Sequence, residues 1–302
     1  MHQLAFGDRL ANAVQFKGNP VCVGLDPRLE QLPEGIRVDR HASLESQANA
    51  YELFCCEVID ATHALVPVVK PQSAFFEELG PYGAMALGRV CSYASSKGLI
   101  VIMDAKRNDI GSTATAYAKA YLGTNGQSAW GTDALTVSPY LGSDTLQPFV
   151  EQCKAVGAGI FVLVKTSNPG SGFLQDLSVD STTIFERVAD FVQQQSLHSA
   201  SGASGYGCVG AVVGATYPEQ LQAMRKRMPN AWILIPGYGA QGGSASDVLH
   251  GLDDRGLGAI VNNSRGIIFA YENAKYAHAS SWQSAVEKAT QDMIEALHDA
   301  QT

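Results

Sequence analysis

The chain alternates short apolar runs with longer segments of helical period. The apolar runs are rich in Val, Ile and Leu and contain few alternating polar positions. Continuous apolarity is typical of parallel strands that are covered on both faces. Eight runs are therefore predicted as strands: PVCVGLD (20–26), LVPVVKPQ (65–72), GLIVIMDAK (98–106), ALTVSP (134–139), GIFVLVKTS (159–167), GCVGAVVGA (207–215), WILIPGYG (232–239) and AIVNNSRG (259–266).

The segments between these runs predict helices. They include SLESQANAYELFCCEVIDATH, TATAYAKAYLG, TLQPFVEQCKAVGA, TTIFERVADFVQQQSLH, YPEQLQAMRKRM and SSWQSAVEKATQDMIEALHDA. A strand followed by a helix, repeated about eight times, predicts a (β/α)8 TIM barrel of the α/β class. We expect residues 1–302 to form a single barrel domain, with N- and C-terminal helices that cover the barrel. The alternative is an open doubly wound sheet, but the first strand leads into GLDPRLEQLPEG and not into a G-x-G-x-x-G loop.

Composition limits the classes of partner. The net charge of −8 and the pI near 5.3 argue against a nucleic-acid surface, because such surfaces need clustered Lys and Arg. No apolar run reaches the roughly 18 residues of a membrane span, and the N-terminus lacks the features of a signal peptide. We therefore expect a cytoplasmic protein. The six cysteines show no metal-ligand or CxxC spacing and are expected to be buried thiols.

Polar residues follow most of the predicted strands. In a (β/α)8 barrel the active site lies at the C-terminal ends of the strands. One such residue alone would be a solvated strand end, whereas their recurrence indicates a common pocket. In chain order they are Asp26, Lys70, Asp104 and Lys106, Ser138, the stretch 165–168, Gln241 and Arg265.

The third run carries the densest group of charges. VIMDAKRNDI places Asp104, Lys106, Arg107 and Asp109 within six positions. Positions i and i+2 of a strand face the same side, so Asp104 and Lys106 should both face the pocket, while Asp109 falls at the start of the next helix. With Lys70 from the neighbouring strand, ammonium and carboxylate groups alternate. Such an array is either a salt-bridge network that closes the barrel mouth or a site that stabilises a carbanion, with Lys106 as proton donor.

A set of motifs in a fixed order carries a resemblance. VKPQSAFFE, MDAKRNDIGSTATAY, VSPYLG, KTSNPG, VVGAT, PGYGAQGG and NNSRGI together resemble the orotidine 5′-phosphate decarboxylase family, and specifically its longer bacterial subgroup, type 2. The resemblance extends from about residue 20 to residue 268. A lone D-x-K-x-x-D would be weak evidence, but the ordered set is specific.

The resemblance implies roles for individual residues. The catalytic array of the family falls on Lys70, Asp104, Lys106 and Asp109, with Asp109 acting in the site of the other subunit of a homodimer. The implied substrate-binding residues are Asp26 for the ribose, Thr113 in the cross-subunit loop, Ser138 for the pyrimidine, and Gln241, Gly242 and Arg265 for the phosphate. VSPYLG, which contains Ser138, departs from the pattern of the shorter subgroup.

The implied reaction is the decarboxylation of orotidine 5′-monophosphate (OMP) to uridine 5′-monophosphate (UMP), the last step of de novo pyrimidine synthesis. It would need no cofactor and no metal. Two alternatives stay open on the sequence. Related sugar-phosphate decarboxylases and aldolases carry D-x-K-x-x-D and use Mg²⁺, but their second strand should end in an acidic residue, where this chain has Lys70. The second alternative is a catalytically silent barrel that binds a phosphorylated ligand.

Overall fold

The computed structural model describes residues 4–124, 128–239 and 243–301. In these residues eight parallel strands close into a barrel. The barrel strands are β1 (Val21–Leu25), β2 (Val68–Pro71), β3 (Ile100–Arg107), β4 (Ala134–Val137), β5 (Gly159–Lys165), β8 (Val209–Val213), β9 (Ile233–Ile235) and β10 (Ala259–Asn263). Their order around the barrel is β1-β10-β9-β8-β5-β4-β3-β2, and the first and last strands pair directly, with Val21 opposite Val261. The (β/α)8 prediction is confirmed, and each predicted apolar run corresponds to one barrel strand.

Helices surround the barrel. They are α1 (Phe6–Lys17), α2 (Leu44–Thr62), α3 (Ser73–Glu77), α4 (Gly80–Ser96), α5 (Gly111–Leu122), α6 (Ser143–Val156), α7 (Ile184–Ser199), α8 (Pro218–Arg227), α9 (Ala245–Leu249), α10 (Arg265–Ile268) and α11 (Trp282–Gln301). The six helical segments predicted from the sequence correspond to α2, α5, α6, α7, α8 and α11. Among the described residues, no helix is both long and apolar enough to cross a membrane.

The helices α3, α4, α9 and α10 are not among the six segments predicted from the sequence, and for α4 glycines explain why. Several glycines interrupt the helical period of this stretch. A Cβ at Gly83 would overlap the carbonyl oxygen of Phe76, so glycine is what lets α4 approach α3 closely. A small antiparallel hairpin of β6 (Ser178–Val179) and β7 (Thr182–Thr183) also lies outside the barrel. It leads into α7, whose start is stabilised by a capping box of Thr183 and Glu186.

The helix α1 packs against the N-terminal ends of the strands, at the end opposite the predicted site. Phe6 contacts the ring of Phe161 of β5 edge to face, with the ring centroids 6.0 Å apart. The indole of Trp232, just before β9, donates a hydrogen bond to the carbonyl oxygen of Gly7 at 3.2 Å. Arg9 pairs with Asp133, just before β4. Apolar packing and these polar contacts together close this end of the barrel.

The close contact of α1 generates a stability prediction. A Cβ at Gly7 would overlap the carbonyl oxygen of Tyr206, a backbone atom that cannot rotate away, whereas a Cβ at Gly35 would meet nothing within 4 Å. We expect Gly7→Ala to lower the free energy of unfolding by about 1–3 kcal/mol, despite the better helix propensity of Ala. Urea denaturation measures this, with Gly35→Ala as the matched control. Equal stability of both variants and the wild type would contradict the packing described.

Candidate active site

A cavity of about 250 Å³ opens at the C-terminal ends of the strands. Five residues predicted from the sequence line this cavity. They lie just after β1, in β2, in β3 and at the start of α10. They are Asp26, Lys70, Asp104, Lys106 and Arg265. These five residues, from separate strand ends, therefore meet at one cavity.

The carboxylate of Asp104 lines the cavity and accepts several hydrogen bonds. Its Oδ1 accepts hydrogen bonds from Lys106 Nζ at 2.7 Å and from the Thr136 hydroxyl at 2.9 Å. Its Oδ2 accepts from Lys70 Nζ at 2.7 Å and from the Gln72 side-chain amide at 3.0 Å. Four donors on two oxygens satisfy the acceptor capacity of an ionised carboxylate. These contacts hold the two ammonium groups on either side of one negative charge.

The alternating charges of the site determine the directions in which the pKa values of Asp104 and Lys70 shift. Burial by itself raises the pKa of the Asp104 carboxyl, but the charges of Lys70 and Lys106, with their hydrogen bonds, hold it well below its usual range. Burial by itself lowers the pKa of Lys70, yet Asp104 and then Asp26 raise it above its ordinary value. Both buried groups are therefore charged at neutral pH.

The backbone of β3 is irregular where it presents Lys106. Met103 pairs with Leu135 and Arg107 with Val137, so four steps along β3 match two along β4. Lys106 has a φ of +48°, a left-handed conformation that costs roughly 1–2 kcal/mol for a residue with a side chain. Asp104 and Lys106 do contact each other, as the sequence predicted. They do so across a bulge, however, and not through the regular pleat on which the prediction relied.

Lys106 has no register partner on β4, and its backbone N–H donates to the Thr136 hydroxyl at 2.9 Å. Thr136 therefore contacts both Lys106 and Asp104.

Asp26 brings to the cavity a carboxylate oxygen that has no hydrogen-bond donor. Its Oδ1 is buried and has no hydrogen-bond partner among the described residues. A carboxylate oxygen buried without a donor is costly, and a ligand hydroxyl is a suitable donor. Nearby Gly24 lets β1 approach the residue that follows β10, because a Cβ at Gly24 would lie 2.8 Å from the Ser264 Cβ.

Several predicted residues do not line this cavity. Of the stretch 165–168, Lys165 is buried and pairs with Asp176 instead. Asp109 is partly buried and accepts a hydrogen bond from the N–H of Ile110 at 2.8 Å. Thr113 is exposed in the first turn of α5. Ser138 is partly buried and receives a long contact of 3.5 Å from the N–H of Tyr140. Gln241 and Gly242 lie outside the described residues.

Sequence reasoning missed several residues that line the cavity or contact Asp104. Gln72 lies two positions after Lys70, and Thr136 lies two positions before Ser138, so same-face spacing was a signal for both. Asn262 and Asn263 are buried polar residues at the end of an apolar strand, which was a second signal. Tyr238, which also lines the cavity, gave no comparable signal in the sequence.

The described residues contain no group of three or more His, Cys, Asp or Glu side chains that could hold a metal ion. Around Asp104 the neighbours are ammonium, amide and hydroxyl donors.

Comparison with known proteins agrees with the resemblance in the sequence. The model of the orotidine 5′-phosphate decarboxylase / HUMPS family matches residues 19–280. A protein of Rhodopirellula baltica named orotidine 5′-phosphate decarboxylase is 58% identical over 300 residues, which are 97% of this chain and 99% of that protein.

Solved structures share the fold along nearly the whole chain. A structure from Streptomyces avermitilis matches with a TM-score of 0.82 at 34% identity, covering 99% of this chain and 97% of that one. The structure of Leishmania donovani OMP decarboxylase matches with a TM-score of 0.75 at 32% identity and covers 99% of both chains. The similarity thus includes both the barrel and the segments outside it.

The buried charge array generates a prediction about pH and stability. Asp104→Asn removes the carboxylate and leaves Lys70 buried without its partner, which should lower the free energy of unfolding by about 3–5 kcal/mol at pH 7. The folded-state pKa of Asp104 is lowered, so its contribution is fully present above the unfolded pKa of about 3.9 and declines as the pH falls below it. Urea denaturation of both proteins at pH 7 and pH 3 should show the difference narrowing at pH 3.

The matched control for that measurement is Asp254→Asn, because Asp254 is exposed. It should change the free energy of unfolding by less than about 0.5 kcal/mol at either pH. A stability difference for Asp104→Asn that is equally small, or that does not narrow at pH 3, would contradict the electrostatic description of the site.

Proposed function

Because the chain belongs to the orotidine 5′-phosphate decarboxylase family, we propose that the cavity around Asp104 is where it decarboxylates its substrate. The protein is an enzyme of pyrimidine biosynthesis that converts OMP to UMP. The observation that supports the assignment of the site is the Asp104 carboxylate held between the ammonium groups of Lys70 and Lys106. The roles of individual residues below are part of the proposal.

Lys106 is proposed as the proton donor. Loss of CO₂ leaves an electron pair on C6 of the pyrimidine, a carbanion that must be stabilised electrostatically. The Lys106 side chain is 46% exposed and borders the cavity, whereas that of Lys70 is 5% exposed. Lys106 can therefore reach a bound substrate, place its ammonium beside C6 and deliver the proton there. Lys70 stays buried and keeps Asp104 charged and oriented.

Asp104 is proposed to lie near the carboxylate that departs. Two negative charges close together in a partly buried site repel each other, and this repulsion ends when neutral CO₂ forms. The four donors around Asp104 prevent it from turning away from the substrate. In this arrangement the residue both orients Lys106 and destabilises the bound substrate relative to the transition state.

The rest of the substrate is proposed to extend across the cavity toward α10. Asp26 would accept a hydrogen bond from a ribose hydroxyl, which its unpartnered buried oxygen supports. Arg265 is exposed at the cavity edge and would bind the phosphate dianion, together with Gln241 and Gly242 of the Gly-rich loop. Barrels of this class commonly bind phosphate after the last two strands. Ser138 remains a proposed pyrimidine contact.

A homodimer with shared sites is proposed for Asp109 and Thr113. Neither residue lines the cavity of its own chain, yet both lie at the C-terminal end of the barrel. Large apolar side chains are exposed in the loops after β3 and β4, which are adjacent strands: Ile110 is 62% exposed and Tyr140 is 74% exposed. An apolar rim beside two polar residues suits a second copy of the chain that receives Asp109 and Thr113 in its own site.

The remaining proposals rest on the sequence. We propose that residues 1–302 form one domain of the longer bacterial subgroup, type 2, and that the reaction needs no cofactor. The cytoplasmic location is proposed as the place where an enzyme of pyrimidine biosynthesis acts. The Mg²⁺-dependent sugar-phosphate enzymes are the less favoured alternative, because the second strand presents the buried cation Lys70 where they should have a carboxylate. A silent phosphate-binding barrel is disfavoured because binding alone does not need the charge array.

The first prediction from this proposal concerns Lys106. With EDTA-treated protein, OMP should be consumed, as followed by its ultraviolet absorbance, and Lys106→Ala should lower kcat by at least about 10²–10⁴-fold, the usual contribution of a general acid. Lys226→Ala, at an exposed position of α8, is the matched control and should keep wild-type activity. Turnover that requires added Mg²⁺, or that survives without Lys106, would contradict the mechanism.

The second prediction concerns the shared site. Lys106→Ala and Asp109→Ala proteins should each be nearly inactive, and mixing them should restore part of the activity, because a mixed dimer contains one site with both residues intact. Activity is measured after subunit exchange, which labelled subunits demonstrate independently. Exchange without any recovery would show that Asp109 does not act across the interface.

A further inference from the structure

The Thr136 hydroxyl links the backbone of Lys106 to the carboxylate of Asp104. Thr136 lies on β4, is 1% exposed and does not line the cavity. We propose that Thr136 is a positioning residue for the decarboxylation, which sets the direction of the Lys106 ammonium without touching the substrate. This inference rests on the proposed role of Lys106 as proton donor.

The chemistry of its partners fixes the orientation of the hydroxyl. The Lys106 N–H can only donate, and the ionised carboxylate of Asp104 can only accept. The Thr136 oxygen therefore accepts from Lys106 N at 2.9 Å, and its single hydrogen points to Asp104 Oδ1, also at 2.9 Å. Hydrogen bonds arranged donor to acceptor in one direction polarise one another, which strengthens both in a buried site.

These contacts complete a closed ring around Lys106. The ring passes from the Lys106 N–H through the Thr136 hydroxyl to Asp104 Oδ1, and returns through the 2.7 Å bond to Lys106 Nζ. Both ends of a long, flexible side chain are thereby held by the same two residues. A lysine with several freely rotating bonds would otherwise sample many positions of its ammonium.

The ring also explains how the left-handed backbone of Lys106 is kept. The bulge of β3 removes the Lys106 N–H from the regular ladder with β4, and Thr136 supplies the missing acceptor. Ser138 N donates to the Arg107 carbonyl at 3.0 Å and closes the bulge on its far side. Without the hydroxyl, the N–H would lose its acceptor and the conformation with φ +48° would lose its support.

The Thr136 hydroxyl also holds the Asp104 carboxylate during the reaction. When Lys106 delivers its proton to C6, it becomes a neutral amine and no longer stabilises Asp104 as a cation. The bond from Thr136 to Asp104 Oδ1 does not involve the transferred proton and persists through this step. Thr136 thus keeps the carboxylate oriented while the charge beside it changes.

Two substitutions at Thr136 separate the effect of the hydroxyl from that of the side-chain shape, and a third, at another threonine, is the control. Thr136→Val keeps the shape and removes the hydroxyl, and we expect kcat to fall about 10–100-fold with KM changed less than about 3-fold, because misplacing the reacting group acts on the chemical step. Thr136→Ser keeps the hydroxyl and should stay within about 3-fold of the wild-type kcat. Thr62→Val is the matched control, since Thr62 is a buried threonine of α2 whose hydroxyl bonds only within its helix. It should keep both kinetic constants.

The outcomes distinguish this inference from the proposed function. Turnover of OMP by the wild type, and its loss in Lys106→Ala, test the proposed function. The Thr136 variants are then compared with the wild type, once that activity is established. A wild-type kcat in Thr136→Val, a rise in KM alone, or a Thr136→Ser variant as impaired as Thr136→Val would overturn the positioning role. If Thr136→Val does not fold, Thr136→Cys takes its place: its weakly bonding thiol should lower kcat well below that of Thr136→Ser, and equal kcat values would overturn the inference.

Discussion

The buried carboxylate of Asp104 is the group on which the rest of the site depends. A charge in this position is tolerated only because two ammonium groups, an amide and a hydroxyl surround it. The donors lie in or just after β2, β3 and β4, so the pairing of these adjacent strands assembles them. Removing any one donor changes the orientation of the others, since they share the same two oxygens. The cavity is therefore an electrostatic unit more than a collection of independent side chains.

The two ends of the barrel differ in their contacts: one is closely packed and the other surrounds a polar cavity. At the N-terminal ends, α1 packs with Phe6, Gly7 and Arg9 against several strands, and small residues allow close contact. At the C-terminal ends, polar groups lie around a cavity, and two of them, Asp104 and Asp26, are buried acceptors. Packing at one end supplies stability that can offset the cost of holding charges and a left-handed Lys106 at the other.

Prediction from the sequence succeeded where the signal was local. The strands were recognisable because strands buried on both faces must be apolar throughout, and Lys70, Asp104 and Lys106 were recognisable as charges at strand ends. It failed where geometry depended on neighbouring strands. Thr136 had the right spacing, but its hydroxyl matters only because the bulge in β3 brings an N–H and a carboxylate to it.

The sequence by itself determined the barrel class, the family and the residues that carry charge into the cavity, because hydrophobic period and ordered motifs are properties of the chain alone. The tertiary structure decided which of these residues meet. It brought Lys70, Asp104 and Lys106 together and left Asp109 and Thr113 away from the cavity of their own chain. The physical reason is that register, bulges and strand closure arise from pairing between distant segments, which local patterns do not encode.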